Sequence, residues 1–256
     1  MTSYENLRLD VSDYVATVTL TRPPVNALSM ALYKDVRAVF DEISSRPDDI
    51  RVAVLTAEGK YFCAGRDLKI ADNDPQEVRN AAVRAAFGSL YHCAVPVIAA
   101  VNGAALGGGL TLVLDCDIII ASENATFGLP EINAGLCGGM ALNRRGFNQY
   151  QGRKLYFTGE AISAAEMYRL GVIDTMTTPE GLMPAAMELA KKLAAKSPVA
   201  LRAAKWSANE VEKILDFEQA YRAVESRVTL GLAQTDDHKE AVKAFIEKRP
   251  PVFVGH

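Results

Sequence analysis

Within the seven residues Gly103 to Gly109 the chain places four glycines, the last three consecutive at the mouth of an apolar segment that opens at Leu110. Glycine adopts positive φ and lets main chain approach a neighbour closely, at an entropic cost on folding. Three in a row cost roughly 2–3 kcal/mol relative to alanines in a helix. Gly107-Gly108-Gly109 therefore marks close helix packing, a tight turn, or main chain held against a ligand. At a helix start the first N–H groups lack intrahelical partners and carry the positive end of the dipole, which suits an oxyanion. The surrounding stretch, Asn102 to Leu136, ends near a lone carboxylate, Glu131, beside Pro130.

The elements before this cluster follow from periodicity. Leu7 to Leu20 is rich in alternating and β-branched residues with Asp13 at a turn, so two strands are expected. Ser29 is an N-cap for a helix over Met30 to Ser44. Arg51 to Thr56 reads as a fully buried strand, and strand, helix, strand is the signature of a parallel crossover. The polar residues Ile70 to Pro75 have no period and are expected to form a mobile loop of the kind that covers a site. A helix over Gln76 to Tyr91 then returns to a strand at Val97 to Val101.

After the cluster, Leu110 to Cys116 reads as a buried helix and Ile118 to Ala121 as a strand. Ser163 and Glu166 have capping-box spacing, with the helix ending at Gly171. From Pro198 the expectation is helix after helix: Val199 to Asn209, Val211 to Thr229 and Asp236 to Lys248. In Val211 to Gly231 the apolar set Ile214, Phe217, Tyr221, Val224 and Val228 lies on one helical face, to pack on its own domain or on a neighbouring subunit. The division is a layered core over residues 1–195 and a helical region over 196–256.

Composition removes several function classes. The net charge is −3 with interspersed signs, leaving no basic field for nucleic acid. Cys63, Cys93, Cys116 and Cys137 show no CxxC spacing and only three histidines are present, so no metal site is expected. The cysteines read as reduced thiols of an intracellular, cytoplasmic protein. The amino terminus shows no signal-peptide pattern and no apolar run reaches a membrane-spanning length, so a soluble protein is expected. The G-x-G-x-x-G, G-K-[ST] and G-x-S-x-G patterns are missing. What remains is backbone donors and one carboxylate, an inventory for proton transfer next to a carbonyl whose oxygen takes charge. A hydrolase using Ser89 or Ser122 is a rival without an elbow or a visible His-Asp partner.

The motifs F-C-A-G-R-D-L-K (Phe62 to Lys69), V-N-G-A-A-L-G-G-G (Val101 to Gly109), C-D-I-I-I-A-S-E-N-A-T-F-G-L-P-E-I-N-A-G-L (Cys116 to Leu136), T-G-E-A-I-S-A-A-E (Thr158 to Glu166) and F-I-E-K-R-P-P-V-F (Phe245 to Phe253) run in order along nearly the whole chain. Together they resemble the crotonase superfamily of enoyl-CoA hydratases and isomerases. The resemblance implies an α/β crotonase-like (ClpP/crotonase) fold of repeated ββα units with a helical C-terminal region that builds a homotrimer or homohexamer. It also implies an acyl-CoA thioester substrate, no tightly bound cofactor and no metal, and no nucleic-acid or membrane partner.

Carried over residue by residue, the family's oxyanion hole matches the backbone N–H groups of Arg66 and Gly108. The carboxylate of its P-E-I motif matches Glu131. Thr111 stands where two-carboxylate hydratases carry their other glutamate, so the pattern looks like the single-glutamate isomerases. It is also similar to hydroxycinnamoyl-CoA hydratase-lyases, which carry a hydroxyl residue at the Thr111 position. As acid or base, Glu131 needs a raised pKa, expected from desolvation among Phe127, Leu129, Ile132 and Leu136. The unpartnered alternative for Thr111 is a buried hydroxyl bonded back to its own helix. The loop of Ala64, Arg66, Asp67, Leu68 and Lys69 matches the coenzyme A-binding loop, with Arg66, Lys69 and Lys248 as cations for the phosphates; surface charge is the alternative for each. Arg144, Arg145 and Arg153 are candidates for ion pairs between subunits. Asn133 and Cys137 are placed to face the acyl group, or to serve packing and turn hydrogen bonds. The segment between Glu131 and Gly159 is about three residues shorter than the family's usual one. A non-catalytic acyl-CoA-binding or scaffold subunit on the same fold is a further alternative.

Overall fold

The computed structural model describes residues 3–68 and 74–256, the side chains at 142 and 143 excepted. Strands β1 (Leu7–Ser12) and β2 (Val15–Leu20) form an antiparallel hairpin. Its turn places Asp13 and Tyr14 at φ 49° and 63°, the conformation that matches the twist of two-residue hairpins. Helix α1 (Met30–Ser44) starts at Ser29, whose hydroxyl accepts from Leu32 N.

A repeat follows. Strand β3 (Val52–Ala57) is followed by the short β4 (Tyr61–Cys63) and helix α2 (Gln76–Tyr91). Next come β5 (Val97–Val101), β6 (Ala104–Leu106) and α3 (Gly108–Asp115), and then β7 (Ile118–Ser122), β8 (Thr126–Gly128) and a 3-10 turn at Pro130–Ala134. The longer strand of each unit joins a six-stranded sheet ordered β1-β2-β3-β5-β7-β10, parallel from β2 onward; the shorter one joins a second sheet ordered β4-β6-β8-β9. These are the ββα units that the resemblance implied.

The remainder is mainly helical: α4 (Met140–Gly146), α5 (Gln149–Thr158), β9 (Ala161–Ser163), α6 (Ala164–Arg169), β10 (Thr175–Thr177), α7 (Leu182–Ala194), α8 (Pro198–Val211), α9 (Phe217–Ala220), a π turn at Tyr221–Glu225, α10 (Ser226–Leu232) and α11 (Asp236–Ile246). The large sheet is apolar on both faces, as its uninterrupted Val, Ile and Ala runs require. One face packs Val18, Leu55, Ala99 and Val101 against α1 and its neighbours; the other packs Val54, Ile98 and Ile120 against Leu182, Ala186, Ala190 and Ala194, spaced one turn apart on α7. In the small sheet β4 and β6 run parallel side by side, so the loops that follow them meet.

Three expectations are corrected. The helix expected over Val211 to Thr229 is interrupted: α8 runs on to Val211, and a new helix begins at Phe217 with Asp216 accepting from Gln219 N. Of its expected apolar face only Val224 is buried, while Phe217 and Tyr221 are exposed. The capping box at Ser163 is half made, because the Ser163 hydroxyl accepts from Glu166 N but the Glu166 carboxylate pairs with Arg169 instead. The segment Cys137 to Gly152 holds helix α4 and the start of α5, which no periodicity announced. Of the expected covering loop, residues 70–73 lie outside the described residues.

Candidate active site

The site is built on close approaches of main chain that only glycine permits. Gly107 has φ 54°, and its N–H donates to Gly128 O at 2.8 Å, tying the triplet to β8. A Cβ on Gly109 would collide with the carbonyl of Cys63, and one on Gly65, at φ 84°, would sit 2.7 Å from Leu106 O and 3.5 Å from Gly108 N. Loop 64–68 and the start of α3 are therefore pressed together. At Gly108 the first-turn N–H groups of α3 have no carbonyl of their own helix to bond.

The segment Arg22–Leu28 braces the first of these loops. Leu28 N donates to Gly65 O at 2.7 Å, Asp67 N donates to Leu28 O at 3.1 Å and Ala64 N donates to Val25 O at 3.0 Å, so Arg66 is held between two fixed bonds. The Arg22 guanidinium adds an ion pair to Asp67 at 2.8 Å. Asn26, 1% exposed, anchors the brace: its amide donates to Glu58 O and Tyr61 O, both at 2.9 Å, and its side-chain oxygen accepts from Arg22 N at 2.9 Å.

Glu131 comes from the 3-10 turn after β8, and its carboxylate lies where a Cβ of Gly107 would be. Oε2 is buried without a hydrogen-bond partner among the described residues. Loss of water raises the Glu131 pKa, opposed by the residue's own backbone N–H. The burial differs from the expected one: Phe127 and Leu129 are buried, but Ile132 and Leu136 are exposed, and Gly107 supplies the missing wall. Thr111 lies on the same side of α3, 4% exposed, with its hydroxyl turned back to Gly107 O at 3.4 Å. That is the local bonding that helix hydroxyls favour.

Residues that periodicity did not single out complete the surroundings. The Tyr33 hydroxyl stands 3.7 Å, and Leu28 Cδ1 2.7 Å, from where a Gly108 Cβ would be. Burial raises the Tyr33 pKa, and it stacks edge-on against Phe87 with centroids 5.9 Å apart. Burial likewise pushes the Cys63 thiol up to about 12, so it is an inert wall. Tyr156 on α5 packs partly buried against the core, and its pKa is raised, first by the neighbouring Cys137 side chain. Asn133 points away, against Gly159 at the end of α5.

Of the other sequence candidates, Ala64, Arg66, Asp67 and Leu68 line one loop, with Leu68 exposed. Lys69 lies outside the described residues. Lys248 is exposed at the end of α11, its N–H bonded to Phe245 O, and the fold of one chain does not bring it to the cluster. Arg145 donates to Leu114 O and pairs with Glu212 at 3.4 Å within the chain. Ser89 spends its hydroxyl proton on Ala86 O of its own helix and Ser122 is wholly buried, which disfavours either as a nucleophile. Among the described residues no group of His, Cys, Asp and Glu is placed to hold a metal ion, and no helix is long and apolar enough to cross a membrane.

Residues 10–256 match the family model described as enoyl-CoA hydratase/isomerase. The chain belongs to this family. Among curated relatives it is 39% identical to an (E)-benzylidenesuccinyl-CoA hydratase of Thauera aromatica, over 96% of this chain and 98% of the relative. It is 35% identical to a 2,3-dehydroadipyl-CoA hydratase of Escherichia coli K12, over 94% and 95%. Among solved structures, an enoyl-CoA hydratase from Bacillus anthracis superposes with a TM-score of 0.92 at 33% identity, covering 98% of this chain and 100% of that one. This member of the enoyl-CoA hydratase/isomerase family is accordingly an enzyme that processes acyl-CoA thioesters on a crotonase-like fold.

Proposed function

We propose that the enzyme stabilises the enolate of an enoyl-CoA thioester with the N–H groups of Arg66 and Gly108, while Glu131 acts as the single carboxylate that moves protons on the neighbouring carbons. Two such donors in a water-poor site stabilise charge that exists only in the transition state, and losing one costs on the order of 3–4 kcal/mol. The observation that carries the reading is the contact with Gly107 of the Glu131 carboxylate, whose Oε2 is buried without a partner among the described residues, one residue from Gly108 and beside the loop that presents Arg66. A desolvated carboxylate with a raised pKa holds and releases a proton more evenly near neutrality than a solvated one.

The coenzyme A moiety is assigned to Ala64, Arg66, Asp67, Leu68 and Lys69, with Lys248 a further phosphate cation. Thr111 takes the position of the second carboxylate without its acidity, which leaves isomerisation, or water addition and its lyase variant, as the chemistry of one glutamate. The two curated relatives are hydratases by name, which favours water addition. The test is incubation in deuterated water with 2-enoyl-, 3-enoyl- and 3-hydroxyacyl-CoAs, followed by mass spectrometry. Gain of one water identifies a hydratase, exchange with bond migration an isomerase, and release of an aldehyde a lyase. Turnover by Glu131→Gln equal to that of the wild type would refute the reading.

A further inference from the structure

The place that a side chain of Gly107 would take holds the Glu131 carboxylate; the same place at Gly108 faces α1 and α2 instead. A Cβ there would lie 2.7 Å from Leu28 Cδ1, 3.5 Å from Phe87 Cζ and 3.7 Å from the Tyr33 hydroxyl. Of these three atoms only the hydroxyl can make a hydrogen bond.

Tyr33 is set in place by the same brace that holds Arg66. Leu28 N donates to Gly65 O, Ser29 caps α1, and Tyr33 N closes the first turn on Ser29 O at 3.0 Å. The ring is fixed edge-on against Phe87, with the two planes at 83°. Tyr33 is only 6% exposed, yet its hydroxyl has no hydrogen-bond partner among the described residues. Buried polar groups are as a rule bonded, so an uncommitted hydroxyl at this place calls for an acceptor from outside the chain. Unlike Glu131 Oε2 it is not sealed off, and an incoming atom can reach it. Burial also keeps its proton on, so it is a neutral donor across the working range of pH.

Direction and distance both suit the oxygen that Gly108 would hold. On a helix the Cα–Cβ bond leans toward the N-terminal end, the end at which the first N–H groups point outward. A hydroxyl close to the Gly108 Cβ position therefore lies on that side of α3. A Cβ stands about 2.5 Å from its own nitrogen, which puts the hydroxyl within about 6 Å of Gly108 N. One oxygen that accepts from an amide and a hydroxyl together bridges donors up to about 5.6 Å apart.

We propose that Tyr33 is a third donor to the thioester oxygen, a side-chain member of the oxyanion site beside the N–H groups of Gly108 and Arg66. The inference rests on the reading of Gly108 given above. As Glu131 takes a proton from the α carbon, the C–H pair becomes a π bond to the carbonyl carbon and the carbonyl π pair moves onto the oxygen. The bond from the Tyr33 hydroxyl tightens as that charge gathers, since an ionised acceptor makes the shorter and stronger hydrogen bond. Return of the proton to carbon reverses these shifts, and Tyr33 loses and gains no proton.

The test uses two probes that need no added water: butyryl-CoA, whose α protons exchange in deuterated water, and acetoacetyl-CoA, whose ionisation to a conjugated enolate is followed by ultraviolet absorbance. Wild type, Tyr33→Phe and Glu131→Gln are compared. For Tyr33→Phe the kcat for exchange is expected to fall about 10- to 100-fold, up to the scale of one lost oxyanion donor, with KM within about threefold and the melting temperature unchanged. The pKa of bound acetoacetyl-CoA is expected to lie about one to two units above that of the wild-type complex, the same factor read at equilibrium. Glu131→Gln is expected to lose exchange and still bind the enolate. Exchange by Tyr33→Phe within about twofold of wild type overturns the proposal, as does an unshifted acetoacetyl-CoA pKa. A fall in melting temperature with KM raised in step means a packing role and overturns it too. A wild type that neither exchanges α protons nor lowers the acetoacetyl-CoA pKa below its value in free solution overturns the reading of Gly108 itself, and the two failures are thereby told apart.

Discussion

Gly107 joins a backbone constraint to a catalytic one. Its φ of 54° and ψ of −121° are unfavourable for any other residue, and the space of its missing side chain is filled by the Glu131 carboxylate. Gly107→Ala is therefore expected to lower stability by about 1–3 kcal/mol and to displace Glu131, so that urea unfolding and kcat fall together. Gly108→Ala is the contrasting case, because its Cβ would meet the movable end of Leu28 and not a backbone atom. Its melting temperature should change little while kcat drops by about tenfold or more, the scale of a misplaced reactant, since alanine keeps the backbone N–H and only crowds the site. Glu131 separates stability from activity in pH. Its pKa is raised in the folded chain, so folding favours the protonated form; stability that is intact below the unfolded carboxylate pKa is lost as pH rises through the folded value. Glu131→Gln should match the wild type in melting temperature at acid pH and exceed it at neutral pH. It should also lower kcat by about 10²–10⁴. The acid limb of the wild-type kcat profile should lie above the ordinary carboxylate range, since the base must first lose its proton.

At the level of elements, the site depends on the brace Arg22–Leu28 as much as on the glycines. Asn26→Ala would leave Arg22 N and the carbonyls of Glu58 and Tyr61 without their partner. A loss of about 2–3 kcal/mol in denaturant unfolding is expected, with a fall in kcat/KM as the loop that carries Arg66 loosens. The sequence revealed the elements that bury one continuous apolar face or run. Helix α1, capped by Ser29, helix α2 and strand β5 span the residues that the sequence assigned to them. It did not reveal β4, β6, β8 and β9, because a strand of three residues carries no measurable alternation. The interrupted helix after Val211 was hidden for another reason: Phe217 and Tyr221 have helical spacing but remain exposed, with their rings against each other, so period alone cannot tell where the helix breaks. In the candidate site, glycine spacing pointed to the triplet Gly107 to Gly109, and the family likeness singled out Gly108 and the role of Glu131. Tyr33 was illegible, since its closeness to the cluster arises from how α1 packs and leaves no local pattern.

For the whole molecule, the distribution of apolar surface is uneven. Phe217, Leu230, Phe245 and Ile246 in the helical C-terminal region are between 69% and 86% exposed, an arrangement that soluble monomers avoid. We expect these residues to be covered by further copies of the chain in a closed ring. Light scattering at micromolar concentration should give a mass of three or six times 27.7 kDa, and Phe217→Asp combined with Phe245→Asp should reduce it; a wild-type monomer would contradict this. The approach of Gly65 to Leu106 O and Gly108 N has a consequence for redesign. In the proposed reading the grip on the reacting group is made by peptide planes, whereas the wall toward the acyl chain, with Cys137 as a candidate, is made of replaceable side chains. Libraries that vary that wall can exchange one substrate for another and still inherit the same chemistry at the thioester.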